Sequence, residues 1–373
     1  MGWTFRKRVK IIPGVHLNLS KSGISTTIGV KGASINIGKK GTYLNTGIPG
    51  TGISHRQKIS GGKGSNSNVI PETVDEFEPQ DNIVSSDVQE ITSQNMEGVK
   101  EAILLAHQQR VDLKKDITNV KAVLGKTKTK LTLSYIFLYG FINKNKTAEI
   151  KEDINNQKAT IIELEEEVEK SYVSLDIEFS DEMETEYIEL IDSFNLLSQS
   201  EKIWDVTGAY QEDTRKTRSA AGTSIKKNDT SVGLTQLPDI KSKYEAMYFN
   251  NLNGPDVYIY PNFVIMYENE GKFAVIDYDE LDIYFRKTRF IETGKIPQDS
   301  KIIDKTWAKV NKNGTPDKRF KGNYEIPIVA YGDIIMRTNT GMNENWQFSN
   351  YESFAEFGER FVNYRKTINS ITK

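Results

Sequence analysis

No cysteine occurs among the 373 residues, and histidine occurs only at His16, His55 and His107. The missing thiols exclude disulfides, thiolate metal sites and a cysteine nucleophile, and they suit a reducing compartment. The three histidines are far apart and in no ligand spacing, so neither a histidine triad nor a zinc site is expected. No stretch reaches the roughly 18 apolar residues that a membrane-spanning helix needs. No signal peptide is expected, because a polar ribbon follows the opening residues. The last absence is local. Before Glu72 there is no Asp or Glu, yet eleven of the 49 basic residues lie at or before Lys63. The remaining 38 basic residues share the chain with all 51 acidic ones, so the rest of the molecule is acidic. Two such parts attract each other or an anionic third party.

The basic opening reads "VHLNLSKSGISTTIGVKGASINIGKKGTYLNTGIPGTGIS" over residues 15–54. Val15, Leu17 and Leu19 alternate with polar residues, as do Ile24, Thr26 and Ile28, and Ala33, Ile35 and Ile37. Period-two alternation predicts strands with one apolar face. Glycine at Gly23, Gly32, Gly41 and Gly50 punctuates them as turns do. The pattern predicts an antiparallel meander of four or five strands. A phosphate-binding loop would need a helix next, and none follows.

Three stretches carry a family resemblance: "MGWTFRK" at residues 1–7, "LNLSKSG" at 17–23 and "GIPGTG" at 47–52. Together with the missing acids they resemble the bacterial N-terminal family called domain of unknown function 4236. The resemblance covers about residues 1–58. It implies a bacterial origin and a modular β domain, and it implies no activity.

Residues 59–93 are rich in Gly, Ser, Asn and acids and read as a flexible linker. Helical periodicity follows. Ile103, Ala106, Arg110, Leu113, Ile117, Val120 and Leu124 alternate spacings of three and four. Ile150, Ile154, Gln157, Ile161, Leu164, Val168 and Ser171 do the same, as do Met183, Tyr187, Leu190, Phe194 and Leu197. These heptads predict a coiled-coil helical hairpin with a third helix packed on its base. A plain helical bundle satisfies the same pattern. The connection, "KTKTKLTLSYIFLYGFINKNK", is apolar over residues 131–142 and flanked by Lys126, Lys128, Lys130, Lys144 and Lys146. It is too short to span a bilayer. Tyr135, Phe137, Leu138 and Phe141 could dip into one leaflet with the lysines on anionic headgroups, or pack on protein.

Residues 207–236 read as a second linker, basic in "RKTRSAAGTSIKK". Beyond it about seven strand-like runs precede one amphipathic helix, whose apolar face is Phe354, Phe357, Phe361, Tyr364 and Ile368. This element order is similar to the pleckstrin-homology superfold, a bent barrel plugged by its C-terminal helix. The resemblance is one of element order alone. Headgroup sites of that superfold use basic residues near the first strand pair. Here that turn is Pro261-Asn262, so protein contact is the better expectation.

One constellation could carry chemistry. Asp256, Glu270 and Lys272 stand in the order of the PD-(D/E)xK nucleases, where carboxylates hold a divalent metal and lysine positions the attacking water. Against it, Glu270-Gly271 falls in an expected hairpin turn and not along a strand. The fold class expected is therefore multi-domain α+β. Residues 1–58 form a basic β meander and 59–93 a linker. Residues 94–206 form the hairpin with its third helix, 207–236 a second linker, and 237–373 a pleckstrin-homology-like β barrel with a capping helix. Arg6, Lys7, Arg8, Lys10, Lys21, Lys31, Lys39, Lys40 and Arg56 are the expected anion or partner contacts. The function expected is a cytoplasmic, non-enzymatic adaptor or scaffold that binds an anionic or protein partner, or itself, with no cofactor, metal or small-molecule substrate. The alternatives are a nucleic-acid-binding protein with metal-dependent nuclease activity and a peripheral membrane protein using the hairpin tip.

Overall fold

The structure is a computed structural model. It describes the backbone of residues 6–12, 15–20, 23–30, 33–38, 41–47 and 54–60. Side chains are described for residues 82–94, 96–173, 179 and 183–368, and backbone alone for 174–175, 181–182 and 369–372. The chain divides into two compact units, residues 101–175 with 238–241, and the remainder.

The basic ribbon forms β1 (Arg6–Ile12), β2 (Val15–Ser20), β3 (Gly23–Val30), β4 (Ala33–Gly38), β5 (Gly41–Gly47) and β6 (Ser54–Ser60). These make one antiparallel meander in sequence order, with β1 and β6 as its edges. Cross-strand register sets Val15, Leu17 and Leu19 opposite Ile28, Thr26 and Ile24, and Ile28 opposite Ile35. The expected four or five strands become six, because Val9 and Ile11 alternate with Arg8 and Lys10 and extend the pattern into β1. Residues 61–81 of the expected first linker lie outside the described residues. Its remainder is no linker. Ile83 N–H donates to Thr207 O (3.1 Å), Ser86 N–H to Gly341 O (2.9 Å) and Ser93 N–H to Val275 O (3.0 Å). Between them α1 (Val88–Ile91), capped by the Asp87 carboxylate on Gln89 N–H, buries Val88 and Ile91 in the larger core.

The smaller unit is the hairpin. α2 (Glu97–Ile136) runs without a break through Gly125, a short α3 (Tyr139–Ile142) turns the chain, and α4 (Lys144–Lys170) returns. Contacts run in opposite sequence directions: Lys121 with Glu165 (2.8 Å), Gln157 donating to Thr127 Oγ1 (3.3 Å), and Lys151 over the Tyr135 ring (5.8 Å). The two helices are therefore antiparallel. Ile117, Leu124, Ile154 and Ile161 are buried between them, flanked by Val120, Leu131, Ile150, Leu164 and Val168, so the heptad stripe is the packed face. Forty helical residues make α2 about 60 Å long. Beyond α4, β7 (Val173–Leu175) joins a two-stranded pair.

The third heptad helix, α5 (Asp181–Ser198), is not part of the hairpin. Tyr187, Leu190, Phe194 and Leu197 lie in the core of the β-rich unit. The expected second linker is also overturned. β8 (Ile203–Gln211), a single turn α6 (Thr214–Thr217), β9 (Thr223–Asp229) and β10 (Val232–Thr235) occupy it. β8 is buried on both faces over its first seven residues and so shows no alternation to read.

Thereafter come β11 (Ile240–Ser242), which pairs with β7, and β12 (Ala246–Phe249), β13 (Asp256–Ile259), β14 (Phe263–Asn269) and β15 (Lys272–Asp277). They are followed by β16 (Asp282–Ile291), β17 (Lys301–Trp307), β18 (Glu325–Arg337), β19 (Asn343–Phe348) and α7 (Tyr351–Thr372). One sheet has the order β10-β12-β13-β14-β15. The other runs β16-β18-β19-β8-β9, with β17 beside β19 on the same edge of β18. The strands form two open sheets and not one closed barrel. All seven expected strands are present, and β8, β9, β10 and β12 add to them. α7 lays Phe354, Phe357, Phe361 and Tyr364 into the core as its spacing predicts. There Phe194 meets Phe357 at 5.4 Å and Tyr187 meets Tyr364 at 5.2 Å.

Candidate functional site at the hairpin tip

The end of α2 holds its threonines in the helix by back-bonding: Thr127 to Val123 O, Thr129 to Gly125 O and Thr132 to Lys128 O. The helix stops where Leu138 takes a left-handed conformation, φ 60°. Asn143 then caps α4, its side chain accepting from Lys146 N–H at 3.2 Å. The buried Thr147 hydroxyl donates to Gly140 O at 3.1 Å. A β-carbon on Gly140 would sit 2.9 Å from Ser134 Oγ, so the chain crosses closely at this point. Tyr135 meets Phe141 edge-on at 5.2 Å.

These bonds define a cap whose apolar side chains face outward. Phe137 is 73% exposed and Ile142 81%, and Ile136, Leu138, Tyr139 and Phe141 are exposed as well. Of the four residues expected at this surface, Phe137, Leu138 and Phe141 belong to it. Tyr135 is half-buried and supports Phe141 from behind. Ile136, Tyr139 and Ile142, which stand in the same apolar run, are exposed beside them. No carboxylate occurs between Asp116 and Glu149, a stretch that carries six lysines. Five of the acids of α4 stand at its other end, as Glu163, Glu165, Glu166, Glu167 and Glu169, while Glu149, Glu152 and Asp153 follow the tip lysines within its first ten residues. Charge and exposed apolar surface thus coincide at one end of the hairpin.

The nuclease-like residues are each engaged separately. Asp256 accepts from Tyr248 Oη (3.0 Å) and Asn251 N–H (2.9 Å). Lys272 pairs with Glu268 (2.9 Å) and Asp87 (3.4 Å). Glu270 stands in the β14–β15 turn. Among the described residues no group of three or more His, Asp or Glu is arranged to hold a metal. Of the basic contacts expected at the N-terminus, Arg6, Lys7, Arg8 and Lys10 lie in β1 and Arg56 in β6, which are the two edge strands. Lys21, Lys31, Lys39 and Lys40 lie outside the described residues.

Two further polar groups come together only in the fold. On the sheet face opposite the helices, Lys227 Nζ lies 3.4 Å from the Trp204 ring centre and 4.2 Å from that of Phe290, and donates to Gln347 Oε1 (2.9 Å). Burial pushes its ammonium down to about 8, while the ring faces favour the charged form. Gln347 also donates to the buried Asp333 (2.8 Å), which Thr288 and Arg286 contact. Elsewhere Glu344 is buried near Asp205, and the Ser85 hydroxyl donates to it at 2.5 Å. Burial, opposed by that hydrogen bond and aided by the Asp205 charge, raises the Glu344 carboxyl to about 7.

A raised carboxyl binds its proton more tightly folded than unfolded. Its contribution to stability is complete below the unfolded value of 4.5 and is lost as pH rises through about 7. The thermal midpoint of the wild-type chain is expected to fall from pH 5 to pH 8 relative to Glu344→Gln. Calorimetry of both proteins checks this, and parallel pH profiles would show that Glu344 is ionised throughout.

The fold and the tip define a mixed α+β protein with a basic antiparallel sheet, a long helical hairpin and a two-sheet unit. Residues 3–56 match the model of a family described as "Protein of unknown function (DUF4236)". No curated protein and no solved structure matches the chain. Among the described residues no helix is long and apolar enough to cross a membrane.

Proposed function

We propose that this chain is a bacterial, non-enzymatic adaptor that attaches to an anionic membrane surface through the hairpin tip. The observation that carries this reading is the cap of exposed Ile136, Phe137, Leu138, Phe141 and Ile142, flanked by Lys126, Lys128, Lys130, Lys144 and Lys146 in a stretch that has no acid between residues 117 and 148. Apolar side chains that gain nothing in water gain about 1.5–3 kcal/mol each when fully buried. Each lysine near an anionic leaflet adds about 1 kcal/mol. The short α3 and its flanks can enter one leaflet and cannot span it. In this reading the hairpin is a spacer. The C-terminal unit, whose last seven strands and final helix follow the element order of the pleckstrin-homology superfold within two open sheets, contacts protein. The basic edges of the N-terminal sheet meet an acidic partner.

The test is co-sedimentation of the full chain with vesicles. Wild type is expected to sediment with phosphatidylserine–phosphatidylcholine vesicles and not with phosphatidylcholine alone. Phe137→Asp with Phe141→Asp should lower the bound fraction at least tenfold, since two buried rings are lost. Equal sedimentation of both proteins, or none, sinks the membrane reading. Self-association that falls in the double variant without vesicles would assign the tip to a protein contact.

A further inference from the structure

A second surface lies in the β-rich unit and takes no part in the hairpin. Residues 308–324, between β17 and β18, are stitched into a fixed shape. Ala308 N–H donates to Tyr324 O (2.9 Å), and Asp317 N–H to Lys309 O (3.0 Å). The Asn323 side chain bridges both polar groups of the Lys309 backbone, at 2.9 and 2.8 Å. The loop is tied to the α6 turn by Val310 N–H on Arg218 O (2.9 Å) and Lys309 Nζ on Thr217 O (2.6 Å). Between loop and turn lies a cleft of about 430 Å³, within the roughly 300–1,000 Å³ usual for ligand clefts.

Its walls combine two properties. Trp307, Phe320 and Tyr324 line it, with Phe320 41% and Tyr324 61% exposed. Aromatic rings held at a surface without apolar cover are platforms waiting for a flat partner. Charge is the second property. The α6 turn carries Arg215, Lys216 and Arg218, of which Lys216 pairs with Asp213, and residues 309–321 carry five basic residues and one acid. That acid, Asp317, is taken up by Arg319, whose Nε donates to it at 2.9 Å. Lys309 and Lys321 reach the cleft itself.

We infer that this cleft binds single-stranded nucleic acid, with bases stacked on Phe320 and Tyr324 and phosphates on Lys309, Lys321 and the basic α6 turn. Basic tracks interleaved with aromatic platforms are how sequence-tolerant single-strand sites are built. The N-terminal ribbon lacks this combination, having Tyr43 alone among Phe, Trp and Tyr between residues 15 and 58. Duplex nucleic acid hides its base faces in the stack and cannot use the rings. An acidic protein would match the cations but would leave the two exposed rings without the flat faces that bases offer.

The experiment is fluorescence anisotropy of the full chain with a labelled single-stranded oligonucleotide, against the same sequence as a duplex. Wild type is expected to bind the single strand tighter than the duplex, with affinity falling steeply as salt rises. Phe320→Ala with Tyr324→Ala removes two exposed rings and should leave the fold intact. It is expected to weaken single-strand binding about tenfold or more and to erase the preference over duplex. Lys321→Glu should weaken binding as well and reduce the salt dependence. The proposal is overturned if the single strand does not bind, if duplex binds equally well, or if the double alanine variant binds like wild type.

Discussion

Gly332→Ala is expected to destabilise the β-rich unit by about 3 kcal/mol or more. Gly332 sits in β18 where α7 crosses it. A β-carbon there would lie 2.0 Å from Phe354 Cγ, and 2.3 and 2.5 Å from its two Cδ atoms. Phe354 cannot yield easily, because its ring is buried beside Phe285 (6.0 Å) and against Tyr351 (6.0 Å). Helix and strand would have to part, and the core they enclose would open. Chemical denaturation followed by tryptophan fluorescence measures the loss, since Trp346 is buried in that core. Combining Gly332→Ala with Phe354→Ala should cost less than the two single losses added together, because the added methyl then has room. Simple additivity would show that the clash is relieved elsewhere.

Arg110→Met is expected to destabilise the hairpin unit by about 3–5 kcal/mol. Arg110 occupies a stripe position where an apolar residue would be ordinary. Its guanidinium is buried, donates to Pro238 O at 2.8 Å and pairs with the buried carboxylate of Asp239. Its Cζ also lies 5.3 Å from the centre of the Tyr172 ring. Removing it leaves the buried Asp239 carboxylate without its guanidinium partner, with His107 Nδ1 at 3.4 Å. Replacing both partners, as Arg110→Met with Asp239→Leu, should recover most of the loss, since a buried pair is worth little beyond its own desolvation. Helical ellipticity during thermal unfolding is the readout. A single variant as stable as wild type would mean that water or another cation reaches Asp239.

Much of this architecture was legible in sequence, and the failures share one cause. Ile117, Leu124, Ile154 and Ile161 announced the hairpin because helix periodicity is local and the partner helix carried the same repeat. The same kind of repeat in α5 gave its helix but not its partner. Tyr187, Leu190 and Phe194 specify an apolar stripe, and nothing in a stripe says which surface will cover it. Gly125 and the alternating Lys-Thr run looked like a helix end. Yet α2 continues, since one glycine costs only about 1 kcal/mol and the threonines bond back to the preceding turn. The expected linker at 207–236 was read from small and basic residues. In β9 those residues include Lys227, whose amine is stabilised by Trp204 and Phe290, residues distant in sequence.

The two candidate surfaces divide in the same way. The hairpin tip could be read because its apolar run and its lysines are contiguous. The cleft could not, because Phe320 and Tyr324 meet the 214–221 turn only after β17 and β18 are in place. Glu344 and Asp205 were equally invisible as a pair, being brought together from β19 and β8.

Entry of the hairpin tip into an anionic leaflet can be measured directly, because the sequence has no cysteine. Phe137→Cys would carry the sole thiol of the chain and can take a single environment-sensitive fluorophore. Ile162→Cys, on α4 and also exposed, serves as the control. On addition of phosphatidylserine-containing vesicles, the label at 137 is expected to shift to the blue and to become shielded from an aqueous quencher. The label at 162 should remain in water, and neither should respond to phosphatidylcholine alone. A label at 137 that stays open to the quencher with anionic vesicles present, or that is already shielded without them, would contradict the account.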